Sequence, residues 1–137
     1  MSTLDQRVST QPTKALEAFE NPRPGATYLV ECATREFTCL CPLTGQPDFA
    51  RISLRYVPDS KCVELKSFKL YLWSYREEGV FHEDVVNRML ADLVAILDPI
   101  WIEVRGDFET RGGIATAVSA RHGVKPDTLE DVDLLDF

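Results

Sequence analysis

The chain lacks several patterns that would assign it to a common functional class. None of its four cysteines forms a C-x-x-C pair, so the usual spacing of a zinc ribbon is missing. No stretch approaches the roughly 20 apolar residues that a membrane span needs, and the amino-terminal residues carry no apolar run like that of a signal peptide. A G-x-G-x-x-G dinucleotide motif is also missing. We therefore expect a cytoplasmic protein with reduced thiols and no membrane partner.

Basic residues are outnumbered. The chain has 15 Lys and Arg against 22 Asp and Glu, which gives a net charge of −7. Because binding to a nucleic-acid backbone depends on Lys and Arg, this balance predicts no direct nucleic-acid partner, although it leaves room for a nucleobase-sized ligand. With 137 residues, of which 45% are hydrophobic, the chain is long enough for one folded domain with an ordinary core.

Composition divides the chain into three parts. Residues 1–24 are polar and contain scattered prolines, so we interpret them as an arm with a short helical piece over residues 14–19. Residues 25–124 carry the periodic apolar patterns of a folded domain, and residues 125–137 form an acidic tail.

The apolar periodicity of the domain predicts four strands, two helices and one short extended piece. The predicted strands cover residues 26–32, 49–57, 100–105 and 114–120, the helices cover residues 67–76 and 82–97, and the extended piece covers residues 61–65. This order indicates an α+β fold in which two helices cover one face of an antiparallel four-stranded sheet. Because such a sheet has open edges, we expect an oligomer that pairs the edges between subunits and closes a ring.

The segment from residue 37 to residue 49 is the most informative for chemistry. Pro42 and Pro47 fix φ and Gly45 permits positive φ, so the segment is predicted to be a shaped turn instead of a helix or strand. Such a turn brings Cys41 and Asp48 into one small volume. A thiol beside a carboxylic acid is suited to attack a polarised carbon and then to move protons.

Glu64, Lys66 and Lys69 stand where a helix is predicted to begin, and they have two interpretations. In the first interpretation, Glu64 stabilises the amino terminus of the helix and the two lysines are solvated. Alternatively, Glu64 accepts hydrogen bonds from a planar ligand rich in N–H groups, and the two lysines attract a phosphate on a ligand.

Two further pairs are ambiguous in the same way. His82 and Glu83 open the long helix, where they either begin the helix or contribute to chemistry. Arg111 and Gly112 either connect two strands or grip an anion, since glycine lets the backbone approach a phosphate that arginine binds.

Together, these pieces resemble the NADPH-dependent 7-cyano-7-deazaguanine reductases of queuosine biosynthesis. The resemblance extends over about residues 37–114, and it is carried by the Cys41–Asp48 turn, the segment of residues 64–71, the His82–Glu83 pair and the segment of residues 111–114. It implies the tunnelling fold, in which subunits close into β-barrel rings that stack in pairs. It also implies active sites at subunit interfaces, in the short single-module form.

The resemblance further implies a reaction, the reduction of a nitrile to the amine of 7-aminomethyl-7-deazaguanine by two NADPH. Cys41 adds to the nitrile carbon and forms a covalent thioimide. Asp48 manages the thiol proton and then protonates the nitrogen, with His82 as a partner in proton transfer. A thiohemiaminal and an imine follow on the way to the amine.

Binding roles are implied in the same way, with NADPH as the cofactor and no metal. The residues implied to contact substrate are Val63, Glu64, Leu65, His82 and Glu83. The residues implied to contact NADPH are Leu65, Lys66, Lys69, Arg111 and Gly112. The chain departs from the family pattern at Cys39, which stands two residues before Cys41, and at Leu65, which replaces a frequent serine.

Two rival hypotheses remain open at this point. One is a zinc-dependent cyclohydrolase of the pterin or GTP type on the same fold, with Cys39, Cys41 and His82 as ligands, although C-x-C is a cramped ligand pair. The other is a ring protein that binds a purine without catalysis. A thiol at Cys41 argues against the latter, because binding alone does not require one.

Overall fold

A computed structural model of the protein describes residues 10–129 and residue 135. Within these residues, no helix is long and apolar enough to cross a membrane. The elements in chain order are β1 (Ala18–Glu20), β2 (Val30–Leu40), β3 (Pro47–Val57), β4 (Lys61–Val63), α1 (Leu65–Trp73), α2 (His82–Leu97), β5 (Trp101–Arg111) and β6 (Ile114–Gly123).

Six strands form two antiparallel sheets. The larger sheet has the order β2-β3-β5-β6, and the smaller sheet pairs β1 with β4. A register shift between Thr34 and Phe37 marks a β-bulge in β2. All three neighbouring strand pairs in the larger sheet are antiparallel. The β2–β3 hairpin and the β5–β6 hairpin therefore close at the same end of the sheet.

Alternation along the strands gives the larger sheet one apolar face, which the helices cover. Its central residues include Ile52 and Leu54 on β3 and Ile102 and Val104 on β5, all fully buried in one cluster with side chains of both helices. The helical members of this cluster are Phe68, Tyr71, Val85, Val86, Met89, Leu93 and Leu97.

Helix α2 begins and ends at the predicted residues. Its apolar positions follow the spacing of one buried stripe, as the sequence predicts. Asp98 then takes a left-handed conformation with φ of 43°, and Pro99 follows, so the helix cannot continue.

The prediction of a helical piece over residues 14–19 is wrong. Residues 18–20 instead form strand β1, which pairs with β4 through the register Phe19↔Cys62. A helix of six residues is marginal because nucleation is costly, so ladder hydrogen bonds to a neighbouring strand decide the conformation. The division into an arm, a domain and a tail stays a prediction, and residues 1–9, 130–134, 136 and 137 of the arm and tail lie outside the described residues.

The prediction that residues 37–49 form a single turn is also wrong at both ends. Residues 37–40 complete β2 and residues 47–49 begin β3, so the loop itself covers only residues 41–46. The side chains of Phe37 and Cys39 alternate into the core, a period-2 pattern that outweighs the turn-forming residues downstream.

Other boundaries differ by a few residues. The first predicted strand, over residues 26–32, begins at Val30 and extends to Leu40. Leu65 opens α1 instead of ending the extended piece, because Glu64 caps the helix. The two carboxyl-terminal strands are longer than predicted, since their hairpin pairing continues to Arg111↔Ile114.

Candidate active site

Cys41 opens the loop between β2 and β3. Its N–H donates to the carbonyl of Gln46 at 2.8 Å, and its carbonyl accepts from the N–H of Gly45 at 2.8 Å. Gly45 has φ of 72°, a conformation that glycine adopts without strain. The loop is therefore closed by its own backbone, and the half-buried Cys41 sits at its start.

The environment of the Cys41 sulfur favours the thiolate. The Thr44 hydroxyl is the largest influence, and with the backbone N–H groups of Thr44 and Leu43 it lowers the pKa of the Cys41 thiol by hydrogen bonding. Burial and the nearby Asp48 carboxylate oppose this effect in part. A lowered pKa increases the fraction of the thiol that is ionised at a given pH, and the thiolate is the form that attacks electrophilic carbon.

Cys39, two residues earlier, has the opposite environment. It belongs to the core cluster and is fully buried. Burial, reinforced mainly by the charge of Asp48, raises the pKa of Cys39 to about 11. Cys39 is therefore a protonated thiol at neutral pH, whereas Cys41 is the more acidic sulfur of the two.

Asp48 lies near the start of β3 and is 6% exposed. Its Oδ2 lies 3.2 Å from Nε2 of His82, and its Oδ1 lies 3.0 Å from Nε of Arg111. Each carboxylate oxygen thus has a separate partner, as a buried acid requires. These contacts join β3, the start of α2 and the end of β5 in one polar cluster.

His82 is held by stacking as well as by Asp48. Its ring lies over Phe108 of β5, with centroids 3.8 Å apart and planes 9° from parallel. As the first residue of α2, His82 brings an imidazole group from the start of this helix to Asp48. Glu83, the next residue, is exposed in the first turn of the helix.

Arg111 ends β5 at a two-residue hairpin formed by Gly112 and Gly113, with φ of 56° and 79°. Beyond Asp48, its guanidinium donates from Nη1 to Oε1 of Gln46 at 3.1 Å and from Nη2 to the carbonyl of Pro47. These three contacts of the Arg111 guanidinium therefore all go to residues 46–48. We call Cys41, Asp48, His82 and Arg111 the Cys41 cluster.

The other predicted binding residues are held elsewhere. Glu64 is the amino-terminal cap of α1, where its Oε1 accepts the N–H of Ser67 at 2.7 Å and its Oε2 accepts the N–H of Lys66 at 2.8 Å. Leu65, Lys66 and Lys69 are exposed on this helix. We call residues 63–69 the Glu64 segment.

The structure does not bring the Cys41 cluster and the Glu64 segment together within one chain. The N–H of Val63 donates to the hydroxyl of Tyr56 at 3.0 Å, and Tyr56 lies near the far end of β3 from Asp48. The eight residue-to-residue steps from Asp48 to Tyr56 correspond to about 27 Å of extended strand. The predicted site residues therefore fall into two groups at opposite ends of the sheet.

Two cavities adjoin the Glu64 segment. A groove of about 900 Å³ runs between β2 and α1 and is lined in part by Leu65, Lys69 and Trp73. A smaller apolar cavity of about 310 Å³ is lined in part by Phe19, Tyr28, Val63 and Leu65. Exposed lysines beside such a groove suit the phosphates of a dinucleotide, so the residues present fit NADPH.

Sequence reasoning missed three contributors to the Cys41 cluster. Thr44 lowers the pKa of the Cys41 thiol, and the ring of Phe108 stacks on the imidazole of His82. Gln46 accepts the N–H of Cys41 with its carbonyl and a guanidinium N–H of Arg111 with its Oε1. A hydroxyl residue within a proline–glycine turn is a detectable signal for Thr44. The position of Phe108 depends on strand register, which the sequence does not state.

A zinc site is not favoured by the arrangement of the candidate ligands. Cys39 faces the core, and His82 is bonded to Asp48. Among residues 10–129 and residue 135, no three His, Cys, Asp or Glu side chains are grouped to hold a metal ion. A thiol with a lowered pKa, together with a carboxylate–imidazole pair, is instead a set of groups suited to covalent and acid–base chemistry in an enzyme.

Comparison with known proteins assigns the family. A family model described as QueF-like protein matches residues 47–127. A protein of Anaeromyxobacter dehalogenans (strain 2CP-C) named NADPH-dependent 7-cyano-7-deazaguanine reductase is 62% identical over 117 residues, which are 85% of this chain and 96% of that protein. The Nitrosomonas europaea protein of the same name is 58% identical over 118 residues, which are 86% of this chain and 85% of that protein.

A solved structure agrees with this relationship. The crystal structure of the archaeosine synthase QueF-Like in the apo form superimposes with a TM-score of 0.66 at 26% identity, covering 72% of this chain and 96% of that chain. The chain belongs to the family of the NADPH-dependent 7-cyano-7-deazaguanine reductases.

Proposed function

We propose that this protein reduces the nitrile of 7-cyano-7-deazaguanine to 7-aminomethyl-7-deazaguanine with NADPH, a step of queuosine biosynthesis. Relatives with 58% and 62% identity bear the name of this activity. The observation that carries the proposal within this chain is the Cys41 sulfur, whose pKa hydrogen bonds from Thr44 lower, together with the buried Asp48 and its partner His82. We place the reaction in the cytoplasm, without direct contact to nucleic acid.

Cys41 is the proposed nucleophile. The thiolate forms a bond to the nitrile carbon while one π bond of the C≡N group breaks, which leaves a thioimide. Asp48 takes the thiol proton and delivers it to the nitrogen, so the addition consumes no external acid. His82, 3.2 Å from Asp48, shares this proton.

NADPH, when bound, supplies the hydrides that the thioimide and then the imine require. Between these two reductions, Cys41 leaves as a thiolate. The Thr44 hydroxyl and the loop N–H groups that stabilise its negative charge before attack stabilise the same charge on departure.

Two carboxylates are proposed to bind the deazaguanine. Glu83 and Glu64 accept hydrogen bonds from its N–H edge, and the backbone of Val63 and Leu65 completes the contact. The Glu64 oxygens each accept one backbone N–H in this chain, and a carboxylate has about four lone-pair sites, so acceptor capacity remains for a ligand. For NADPH, we propose Leu65, Lys66, Lys69, Arg111 and Gly112.

The separation of the two groups supports a composite site. Because the Cys41 cluster and the Glu64 segment lie at opposite ends of one sheet, we propose that a second copy of the chain supplies the missing half. Strands β2 and β6 are the edges of the larger sheet, and within the described residues each has a strand neighbour on one side only, so their outer sides are available for pairing between copies. The proposed assembly is a homo-oligomer of tunnelling-fold subunits in stacked β-barrel rings.

The experiment that tests the function follows the nitrile and the cofactor together. Purified protein should oxidise NADPH only in the presence of 7-cyano-7-deazaguanine. With the nitrile alone, intact mass spectrometry should detect one adduct per chain that maps to Cys41 and is missing in Cys41→Ala. NADPH oxidation without such an adduct in wild type would exclude the covalent route.

A further inference from the structure

The orientation of Asp48 depends on two partners of different kinds. His82 reaches Oδ2 and is itself a proposed participant in proton transfer, whereas Arg111 reaches Oδ1 through a planar guanidinium that takes no part in proton transfer. Only the arginine is therefore a permanent anchor for the carboxylate. Removing it would leave a buried acid oxygen without the partner that the chain provides.

Arg111 also holds the backbone that leads into Asp48. Its Nε, Nη1 and Nη2 contact Asp48, Gln46 and Pro47 respectively, so a single planar guanidinium contacts three consecutive residues. The carbonyl of Gln46 in turn accepts the N–H of Cys41 at 2.8 Å. A chain of contacts therefore runs from the β5–β6 hairpin through Arg111 to both the proposed acid and the proposed nucleophile.

These contacts occupy the same N–H groups that the NADPH contact proposed above for Arg111 would use, so Arg111 has a role within the chain before the cofactor binds. A guanidinium that binds a cofactor phosphate through its fork must turn the same N–H groups away from residues 46–48. In this structure, those groups are engaged within the chain, and the Arg111 side chain is 41% exposed at the rim of the site.

We propose that Arg111 is a positioning residue for Asp48, which fixes the carboxylate and the Cys41 loop relative to each other independently of the cofactor. This inference rests on the proposed function, because it concerns the same proton transfer. It predicts that Arg111 is needed for the addition of the nitrile to Cys41, a step that precedes any hydride transfer.

The test measures the rate of nitrile adduct formation on Cys41 by intact mass spectrometry without NADPH. Arg111→Met should slow the reaction at least about tenfold, the scale of a lost charge-assisted hydrogen bond. Arg111→Lys should recover part of the rate, because an ammonium group keeps the charge but lacks the planar fork. In an Asp48→Asn background, Arg111→Met should cause little further loss, since the two residues act as a unit.

Arg105→Met is the matched control. Arg105 lies on the same strand and pairs with Asp107 outside the Cys41 cluster, so its replacement should leave adduct formation unchanged. Thermal unfolding of each variant separates a loss of fold from a loss of positioning. If Arg111→Met does not fold, Arg111→Lys takes its place in the test. An adduct rate below that of wild type in folded Arg111→Lys would support the positioning role, and a rate equal to wild type would contradict it.

An adduct rate in Arg111→Met equal to that of wild type, together with a raised KM for NADPH, would overturn the inference and leave Arg111 as a cofactor ligand. That result would not affect the proposed function. A wild-type protein that forms no adduct would instead defeat the covalent mechanism itself, and the positioning role with it.

Discussion

The two ends of the larger sheet differ in how far their candidate site residues contact one another within one chain. At the end that carries the Cys41 cluster, side chains from a loop, a strand, a helix and a hairpin bond one another directly within one chain. At the other end, each carboxylate oxygen of Glu64 accepts one backbone N–H of its own helix. The neighbouring Leu65 and Phe19 side chains are 61% and 49% exposed. A single chain therefore preorganises the proposed chemistry but presents the proposed binding half as an open surface.

Replacing Asp48 should give the largest effect and would test whether the Cys41 cluster is as complete as its contacts indicate. Asp48→Asn keeps the shape of the side chain but cannot exchange a proton, so turnover should fall by about 10²–10⁴-fold. Steady-state NADPH oxidation measures the loss, and circular dichroism should show an unchanged fold. Full activity in this variant would show that the proton travels by another route.

Mixing two inactive variants would test whether the Glu64 segment of one copy completes the site that holds the Cys41 cluster of another copy. Cys41→Ala and Glu64→Gln each remove one group, so a site built from two copies should regain function wherever both intact groups meet. Co-expression of the two variants at equal levels should restore about a quarter of the sites, if subunits assemble at random in a symmetric oligomer.

The control for this experiment uses two changes within one cluster. Co-expression of Cys41→Ala with Asp48→Asn should restore no activity, because no chain then carries both intact residues of the same cluster. No recovery in the first mixture would place Glu64 and Cys41 of one site in the same chain. Recovery in the control would instead mean that Cys41 and Asp48 of one site come from different chains.

The Thr44 hydroxyl offers a smaller and more local test. Because this group is the largest cause of the lowered pKa of Cys41, Thr44→Val should raise that pKa, and the thiol should become reactive only at higher pH. The pH dependence of alkylation by iodoacetamide, resolved by peptide mass spectrometry, measures the shift. Cys39 provides an internal reference, since its buried thiol should stay unlabelled in the folded protein.

The smallest predicted effect concerns the helix cap. Glu64→Ala removes the acceptor for the N–H groups of Ser67 and Lys66, and it should lower the free energy of unfolding by about 0.5–2 kcal/mol. Chemical denaturation measures the change. A stability equal to wild type would mean that water satisfies these N–H groups, and that Glu64 is retained for its ligand alone.

Local signals predicted much of the chain, and long-range contacts account for most of what they missed. Helix α2 follows from one apolar stripe that ends at Asp98–Pro99, and its bounds are confirmed. Strand β1 depends on pairing with β4, more than 40 residues later, and no local pattern encodes that partner. The contact of Arg111 with Asp48 crosses a similar gap, because it requires the β3–β5 and β5–β6 registers to place both at one sheet end.

Candidate chemistry was easier to predict than its placement. The sequence indicated a candidate nucleophile and a candidate acid seven residues apart, and in the structure the charge of Asp48 influences the Cys41 thiol. Which groups share a chain's site and which need a second copy depends on the distance between the ends of a sheet, and spacing along the sequence does not measure that distance.

The burial of Cys39 has a consequence for the protein under peroxide stress. An oxidised Cys41 would form a sulfenic acid, and rescue by a disulfide requires a neighbouring thiol that ionises readily. Cys39 stands two positions away, but burial raises its pKa to about 11 and keeps its sulfur in the core. Repair of a sulfenic acid at Cys41 through a disulfide would therefore depend on a thiol other than Cys39.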